Sequence, residues 1–260
     1  MRSIIIMPTY NERDNLPEIA RAIFAAAPWV NILVVDDNSP DGTGKIADQL
    51  AAEDGRLRVL HRTGKQGLGT AYIAGFKLAI EHNFDRIFEM DADFSHDPSY
   101  LPAFLRASEN AELVIGSRYI PGGSTPNWSW LRRFISGGGN TFARSLLRMP
   151  VHDCTSGFRC YHRSALEAIN LDSIRAQGYA FQVELVYRVL RARLRVTEIP
   201  ITFVDRRVGQ SKMSRRIFVE GFQYVMQTRR EQGLLPRPVP GQVTVAPPET
   251  MPATVSAGQR

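Results

Sequence analysis

Ser3-Ile4-Ile5-Ile6-Met7 runs straight into Pro8-Thr9-Tyr10-Asn11-Glu12, and Asn31-Ile32-Leu33-Val34-Val35-Asp36 runs in the same way into Asp37-Asn38-Ser39-Pro40. Each is a short β-branched run that ends in a polar turn, the pattern of a buried strand. Between the two, Leu16, Ile19, Ala20, Ile23, Phe24 and Ala27 recur at helical spacing, with Pro17 in the first turn where a missing N–H does no harm. The alternation continues outward. Leu57–Leu60, Arg86–Asp91 and Leu113–Gly116 read as further strands, and Asp97-Pro98 opens a helix of about ten residues. Strand, helix and strand in repeated succession predict an α/β fold, a mostly parallel sheet flanked by helices on both faces.

The second half is less regular. Ile120–Asn127 reads as a loop, and Leu131–Leu147 as a helix interrupted at Gly137-Gly138-Gly139. Tyr179–Ala192 predicts a helix and Val196–Val204 a strand. A last amphipathic helix over Ser214–Arg230 carries Ile217, Phe218, Phe222, Val225 and Met226 on one face. A single domain over 1–233 is expected, its halves meeting near 117. Residues 234–260, rich in Pro, Val and Thr, are expected to be disordered.

Composition narrows the class. The chain has 260 residues, 43% of them hydrophobic, and a net charge of +6, which suits one globular domain with a sizeable core. Leu113 to His152 contains no acidic residue but holds Arg118, Arg132, Arg133, Arg144 and Arg148. Asp205 to Arg230 carries seven basic residues against Asp205 and Glu220. Such stretches point to an anionic partner: phosphates, a membrane surface or nucleic acid. No nucleic-acid-binding motif accompanies them, so nucleic acid is the weaker reading. Cys154 and Cys160 lack CxxC spacing and read as reduced thiols. No signal peptide is evident, nor any apolar run of the ~18 residues a transmembrane helix needs. A cytoplasmic protein is expected.

In open parallel sheets ligands bind beyond the carboxyl ends of the strands. Four polar clusters fall there: Pro8–Glu12, Asp36–Thr43, Gly64–Gly69 and Asp91–His96. Any one alone is ordinary turn chemistry, but four on one rim read as a nucleotide pocket. Asp91-Ala92-Asp93 is the most loaded, because two carboxylates at a strand end suit a hard cation such as Mg²⁺ or Mn²⁺. His96 reads as a capping or packing residue. The acidic end of strand two also fits a dinucleotide fold, yet the first turn lacks GxGxxG, and Gly64–Gly69 does not match GxxxxGK[ST]. Dehydrogenase and P-loop readings are weak.

Pro8-x-Tyr10-Asn11-Glu12, Val34–Thr43, Gly67-Leu68-Gly69-x-Ala71, Asp91-Ala92-Asp93-x-x-His96 and Gly116-Ser117-Arg118-Tyr119 together resemble family 2 glycosyltransferases of GT-A (Rossmann-like) fold. Asp153–Tyr161 and Arg206…Gly209-x-Ser211-Lys212 narrow the resemblance to the polyprenyl- or dolichyl-phosphate mannose synthases, over about residues 2–230. It implies inverting transfer of mannose from GDP-mannose to a polyprenyl (dolichyl) phosphate at the cytosolic face of a membrane. Transfer of another sugar, such as glucose, is the alternative; a non-catalytic nucleotide-binding protein ranks lower.

The resemblance implies nucleotide-sugar contacts at Pro8, Tyr10, Glu12, Val35, Asp37, Asp91, Ala92 and Asp93, and metal ligation at Asp91, Asp93 and the position of Ser95. Arg118, Arg206 and Lys212 would grip phosphate oxygens of both the nucleotide-sugar donor and the acceptor and, with Asp93, carry the chemistry. Arg132 and Ser136 would face the acceptor phosphate, with Arg133 able to exchange with Arg132. A phosphate acceptor is already anionic, so no general base is expected. Gln182 and Glu184 read as ordinary helix polarity. The segment from Trp128-Ser129-Trp130 through Arg148 and the last helix suit peripheral membrane binding, and the resemblance admits a separate membrane-anchoring protein.

Overall fold

A computed structural model describes residues 1–204 and 215–247. Eight strands form one sheet: β1 (Ser3–Thr9), β2 (Val30–Asp36), β3 (Leu57–His61), β4 (Arg86–Glu89), β5 (Leu113–Ser117), β6 (Arg159–His162), β7 (Val196–Pro200) and β8 (Val243–Val245). Their order is β3-β2-β1-β4-β6-β5-β7-β8. Only β6 runs against its neighbours β4 and β5; every other pair is parallel. Eight helices accompany the sheet: α1 (Leu16–Ala26), α2 (Thr43–Glu53), α3 (Leu68–Glu81), α4 (Leu101–Ala107), α5 (Trp130–Leu147), α6 (Arg163–Ala168), α7 (Gly178–Arg191) and α8 (Arg215–Gln232).

Because side chains alternate along a strand, β1 feeds two cores. Ile4 and Ile6 point toward Tyr72 and Phe76 of α3 and Phe181 and Leu185 of α7. Ile5 and Met7 point toward Leu16, Ile19 and Ile23 of α1 and Phe104 of α4. The sheet is therefore covered on both sides, as the unbroken Ile and Val runs require. Helix α3 lies very close on β1: a Cβ added at Gly75 would fall 2.3 Å from Ile6 Cγ2.

Four features depart from the expected elements. β4 ends at Glu89, so Asp91 belongs to the turn and not to the strand. Helix α5 is unbroken through the three glycines; Ser129 caps it by accepting from the Arg132 N–H at 3.3 Å, and Asn140, Ala143 and Leu147 bury its inner face. Gly137 and Gly138 face open space, so they cost only helix propensity, about 1 kcal/mol each. β6 was not expected, because Arg-Cys-Tyr-His carries no strand signature of its own; it is a strand because β4 and β5 bond to both of its edges. Within the segment expected to be disordered, the described residues 234–247 include one further strand. Val243–Val245 pairs with β7, and buried Gln242 donates to the carbonyls of Leu190 and Leu194. No helix among the described residues is long and apolar enough to cross a membrane.

Candidate active site

The carboxyl ends of β1, β2 and β4 deliver the expected polar clusters to one rim. Pro8 and Val35 are register partners across β1 and β2. The loops beyond them are stitched together: Asn11 N–H donates to Ser39 Oγ (3.1 Å), Glu12 N–H to Thr43 Oγ1 (2.9 Å) and Arg13 N–H to Asp41 Oδ2 (3.2 Å). Lys65 Nζ, from the turn after β3, stands 3.9 Å over the ring of Tyr10. Three non-glycine residues of this rim take left-handed backbone: Asn11 (φ 59°), Asn38 (φ 57°) and Phe94 (φ 62°). Asn tolerates that region; for Phe it is an outlier of the kind that gathers at functional sites.

Asp36 and Asp37 divide their work. Asp36 accepts from Thr9 Oγ1 (3.0 Å) and from the backbone N–H and hydroxyl of Ser39, which fixes its own turn. Asp37 is buried and pairs with Arg62, while its other oxygen accepts the N–H groups of Gln66 (3.2 Å) and Gly67 (3.1 Å). It thus ties the glycine-rich turn to β2.

In the acidic turn, Tyr72 Oη donates to Asp91 Oδ1 at 3.3 Å. Asp91 N–H donates to His96 Nδ1 at 3.1 Å, so that ring nitrogen serves the turn. Phe94 reverses the chain and lets Ser95 N–H reach Asp93 Oδ1 at 3.0 Å. Ala92, Asp93, Ser95 and His96 are all buried. Behind them sits Glu89, fully buried; burial pushes its carboxyl up to about 7, with the Arg159 charge pulling the other way.

Arg118 follows β5 and is also buried. Its Nε donates to Asp153 Oδ2 (2.7 Å), and one Nη donates to Asp153 Oδ1 (2.8 Å) and Thr155 Oγ1 (2.8 Å). Burial opposes both charges, but the pair outweighs it: the Arg118 pKa is raised and that of Asp153 held below the ordinary carboxylate value. The guanidinium lies 5.3 Å from the centroid of Tyr119 and 5.6 Å from those of Trp128 and Phe203. Phe203 also meets His96 edge-on, at 5.6 Å. The acidic turn and the buried arginine therefore share one aromatic neighbour. Next to them opens a pocket of about 370 Å³ lined by Arg118, Tyr119, Ser124, Trp128 and Arg133. Arg132 stacks over Trp128 at 4.3 Å, and Ser136 shares a 2.8 Å hydrogen bond with Tyr119. A second cavity, about 330 Å³, is lined by Ser136, Thr155 and Tyr179 together with apolar Ile135, Phe142 and Val183.

The strand-end rim, the acidic turn and the adjacent buried arginine together make one polar site. A model of the glycosyl transferase family 2 matches residues 4–169, which span all four strand-end clusters. The chain belongs to glycosyl transferase family 2. This family 2 enzyme is 49% identical over 215 residues to a polyprenol monophosphomannose synthase of Mycolicibacterium smegmatis, covering 82% of the chain and 81% of the relative. It is 50% identical over 214 residues to an undecaprenyl-phosphate mannosyltransferase of Micrococcus luteus, covering 82% and 88%. Among solved structures, a mannosyl-3-phosphoglycerate synthase from Rubrobacter xylanophilus shares the fold, with a TM-score of 0.66, 18% identity and coverage of 91% and 77%. A Pyrobaculum calidifontis mannosyltransferase in complex with GDP-Man and Mn²⁺ has a TM-score of 0.60 at 17% identity, covering 91% and 66%.

Among the described residues no group of three or more His, Cys, Asp and Glu converges as a metal cage. Two carboxylates on one turn still fit Mg²⁺ or Mn²⁺, which bind through one or two carboxylates plus substrate phosphates and water. Asp91 and Asp93 meet that description. Ser95 is adjacent and buried, with its N–H committed to Asp93. Arg206 and Lys212 lie outside the described residues. Sequence reasoning left Tyr72, Arg62 and Asp153 without roles. Asp153 stood inside a quoted motif, but that it would pair with Arg118 required knowing that the 151–157 loop lies beside the end of β5. Cys154 and Cys160 are buried, and burial pushes the Cys154 thiol up to about 12, which removes it as a nucleophile.

Proposed function

We propose that this glycosyltransferase moves mannose from GDP-mannose to a polyprenyl (dolichyl-type) monophosphate, with inversion, to give polyprenyl-phosphate mannose. The observation that carries the reading is the shared neighbour Phe203, which sets the buried Arg118 beside the acidic turn. Two relatives near 50% identity are named polyprenol monophosphomannose synthase and undecaprenyl-phosphate mannosyltransferase, and the mostly apolar cavity beside Ser136 suits a prenyl chain.

Pro8, Tyr10, Glu12, Val35, Asp37 and Ala92 would form the nucleotide pocket, and Asp91 and Asp93 would hold Mg²⁺ or Mn²⁺. When bound, such a cation neutralises charge on a diphosphate leaving group. Arg118, Arg132 and Ser136 would receive the acceptor phosphate, Arg206 and Lys212 adding charge. Two Arg118 nitrogens are occupied by Asp153, so the phosphate would meet the guanidinium edge facing the pocket. The acceptor oxygen is ionised at neutral pH and attacks the anomeric carbon without a base. What the side chains supply is the joining of two anions.

A lipid acceptor would put the chain at the cytosolic face of a membrane, with or without a separate anchoring protein. Trp130 and Phe134 are 78% and 74% exposed on α5, beside Arg132 and Arg133. Aromatic and basic residues on one exposed helix suit the headgroup region.

The test offers the purified protein labelled GDP-mannose, GDP-glucose, UDP-glucose and UDP-GlcNAc separately, with polyprenyl phosphate and Mg²⁺ or Mn²⁺. Label should enter the organic phase from GDP-mannose far above the rest. Preferential transfer of glucose would replace mannose in the reading.

A further inference from the structure

Glu198 lies on β7, fully buried, with no apparent part in binding either substrate. A buried carboxylate is costly unless its oxygens are well used, and these are. Oε2 accepts the backbone N–H of His152 (2.7 Å) and lies 2.8 Å from His152 Nδ1, while Oε1 accepts the backbone N–H of Asp153 (2.9 Å). Two consecutive peptide N–H groups are thus held by one side chain. The second of them belongs to the residue that clamps Arg118.

The same short segment is gripped from the opposite side by Asn140, buried on α5. Its Nδ2 donates to the His152 carbonyl (2.7 Å) and its Oδ1 accepts the Cys154 N–H (3.0 Å). Asn140 stands one helical turn after Ser136 and two after Arg132, so it fixes the stretch of helix that carries both. The 152–154 segment therefore joins three parts: the strand β7, the arginine after β5, and helix α5. Four of its backbone groups are bonded by two side chains from distant elements.

We propose that Glu198 and Asn140 are positioning residues for the acceptor-phosphate site: through residues 152–154 they fix the guanidinium of Arg118 relative to Arg132 and Ser136. The assignment rests on the functional reading above, in which those three residues meet the acceptor. Loosening the segment misplaces the acceptor phosphate and leaves the nucleotide rim, built on β1, β2 and β4, as it was.

Steady-state kinetics with polyprenyl phosphate and GDP-mannose test this in Glu198→Gln, His152→Ala and Arg118→Lys. A glutamine can accept only one of the two N–H groups and turns a donor toward the other. Glu198→Gln should raise the acceptor KM about tenfold, with the donor KM changed less than twofold. His152→Ala removes one half-exposed contact, leaves the fold little affected, and should raise the acceptor KM two- to threefold, at the order of a single lost hydrogen bond. A purely structural role would instead lower the active fraction and leave both KM values alone. Arg118→Lys is the reference. If it raises the acceptor KM while both other variants leave it unchanged, the positioning role is overturned and the functional reading stands. If Arg118→Lys leaves the acceptor KM unchanged, Arg118 does not meet the acceptor and both fall. Should Glu198→Gln fail to fold, Asn140→Ala, which releases the His152 carbonyl and the Cys154 N–H, takes its place, and an unchanged acceptor KM in it overturns the proposal.

Discussion

At the scale of single residues the site is organised by buried charge pairs more than by exposed ones. Asp153 shows what such a pair does to stability. Burial alone would raise its pKa, but the Arg118 charge and hydrogen bonds hold it below 3.8. A carboxylate depressed in the folded state adds stability that is present above the unfolded pKa and lost as pH falls through the folded one. Asp153→Asn should therefore be less stable than the parent at pH 7 by about 3–5 kcal/mol, since it strands a buried guanidinium. The gap should narrow as pH drops below 4. Urea melts from pH 3 to 7 read both curves; curves that run parallel would show that the pair contributes nothing titratable. Residue identity at the strand ends was legible in the sequence: Asp91, Asp93, Pro8 and Val35 stand on the expected rim. The partners were not. Asp37 pairs with Arg62, and Tyr72 donates to Asp91, across separations that no local pattern encodes.

At the scale of elements, the β-α-β alternation was readable because the central parallel strands β1, β2 and β5 are buried on both faces and are therefore largely apolar. β6 escaped because its strand character comes from its neighbours, and β8 because three residues in a Pro- and Thr-rich segment carry almost no periodic signal. Two substitutions test how these elements are held. Gly75→Ala forces a methyl into the α3–β1 contact and should cost about 1–3 kcal/mol by overpacking. Gly137→Ala, on the open side of an unbroken α5, should instead stabilise by about 0.5–1 kcal/mol. Chemical denaturation midpoints decide both; a destabilised Gly137→Ala would mean that α5 needs its glycine for packing. Gln242→Ala asks the same of the C-terminal segment. It leaves the carbonyls of Leu190 and Leu194 without their donor and should cost about 1–3 kcal/mol, whereas no change would mean that β8 adds nothing to the sheet.

At the scale of the whole molecule, a sheet that is covered on both faces presents its working groups only along its carboxyl rim. The acidic turn lies there beside an arginine held by an independent element, and the two meet across Phe203. Helix α5, with exposed Trp130 and Phe134 and the adjacent Arg132 and Arg133, adjoins them. Sedimentation with anionic vesicles at low salt should carry the protein down, and Trp130→Ser with Phe134→Ser should leave it in the supernatant. Equal sedimentation of the double variant would move the membrane contact off α5. In the proposed reaction Asp93 and its turn would hold the divalent cation, which would neutralise charge on the nucleotide diphosphate as mannose leaves it. The most direct test of this role is lipid-extractable mannose formed from GDP-mannose and polyprenyl phosphate by the parent and by Asp93→Ala, each with Mg²⁺ and with excess chelator. Loss of transfer by two orders of magnitude or more in the variant, and a chelator-sensitive parent, is the result expected. Undiminished transfer by Asp93→Ala would contradict it.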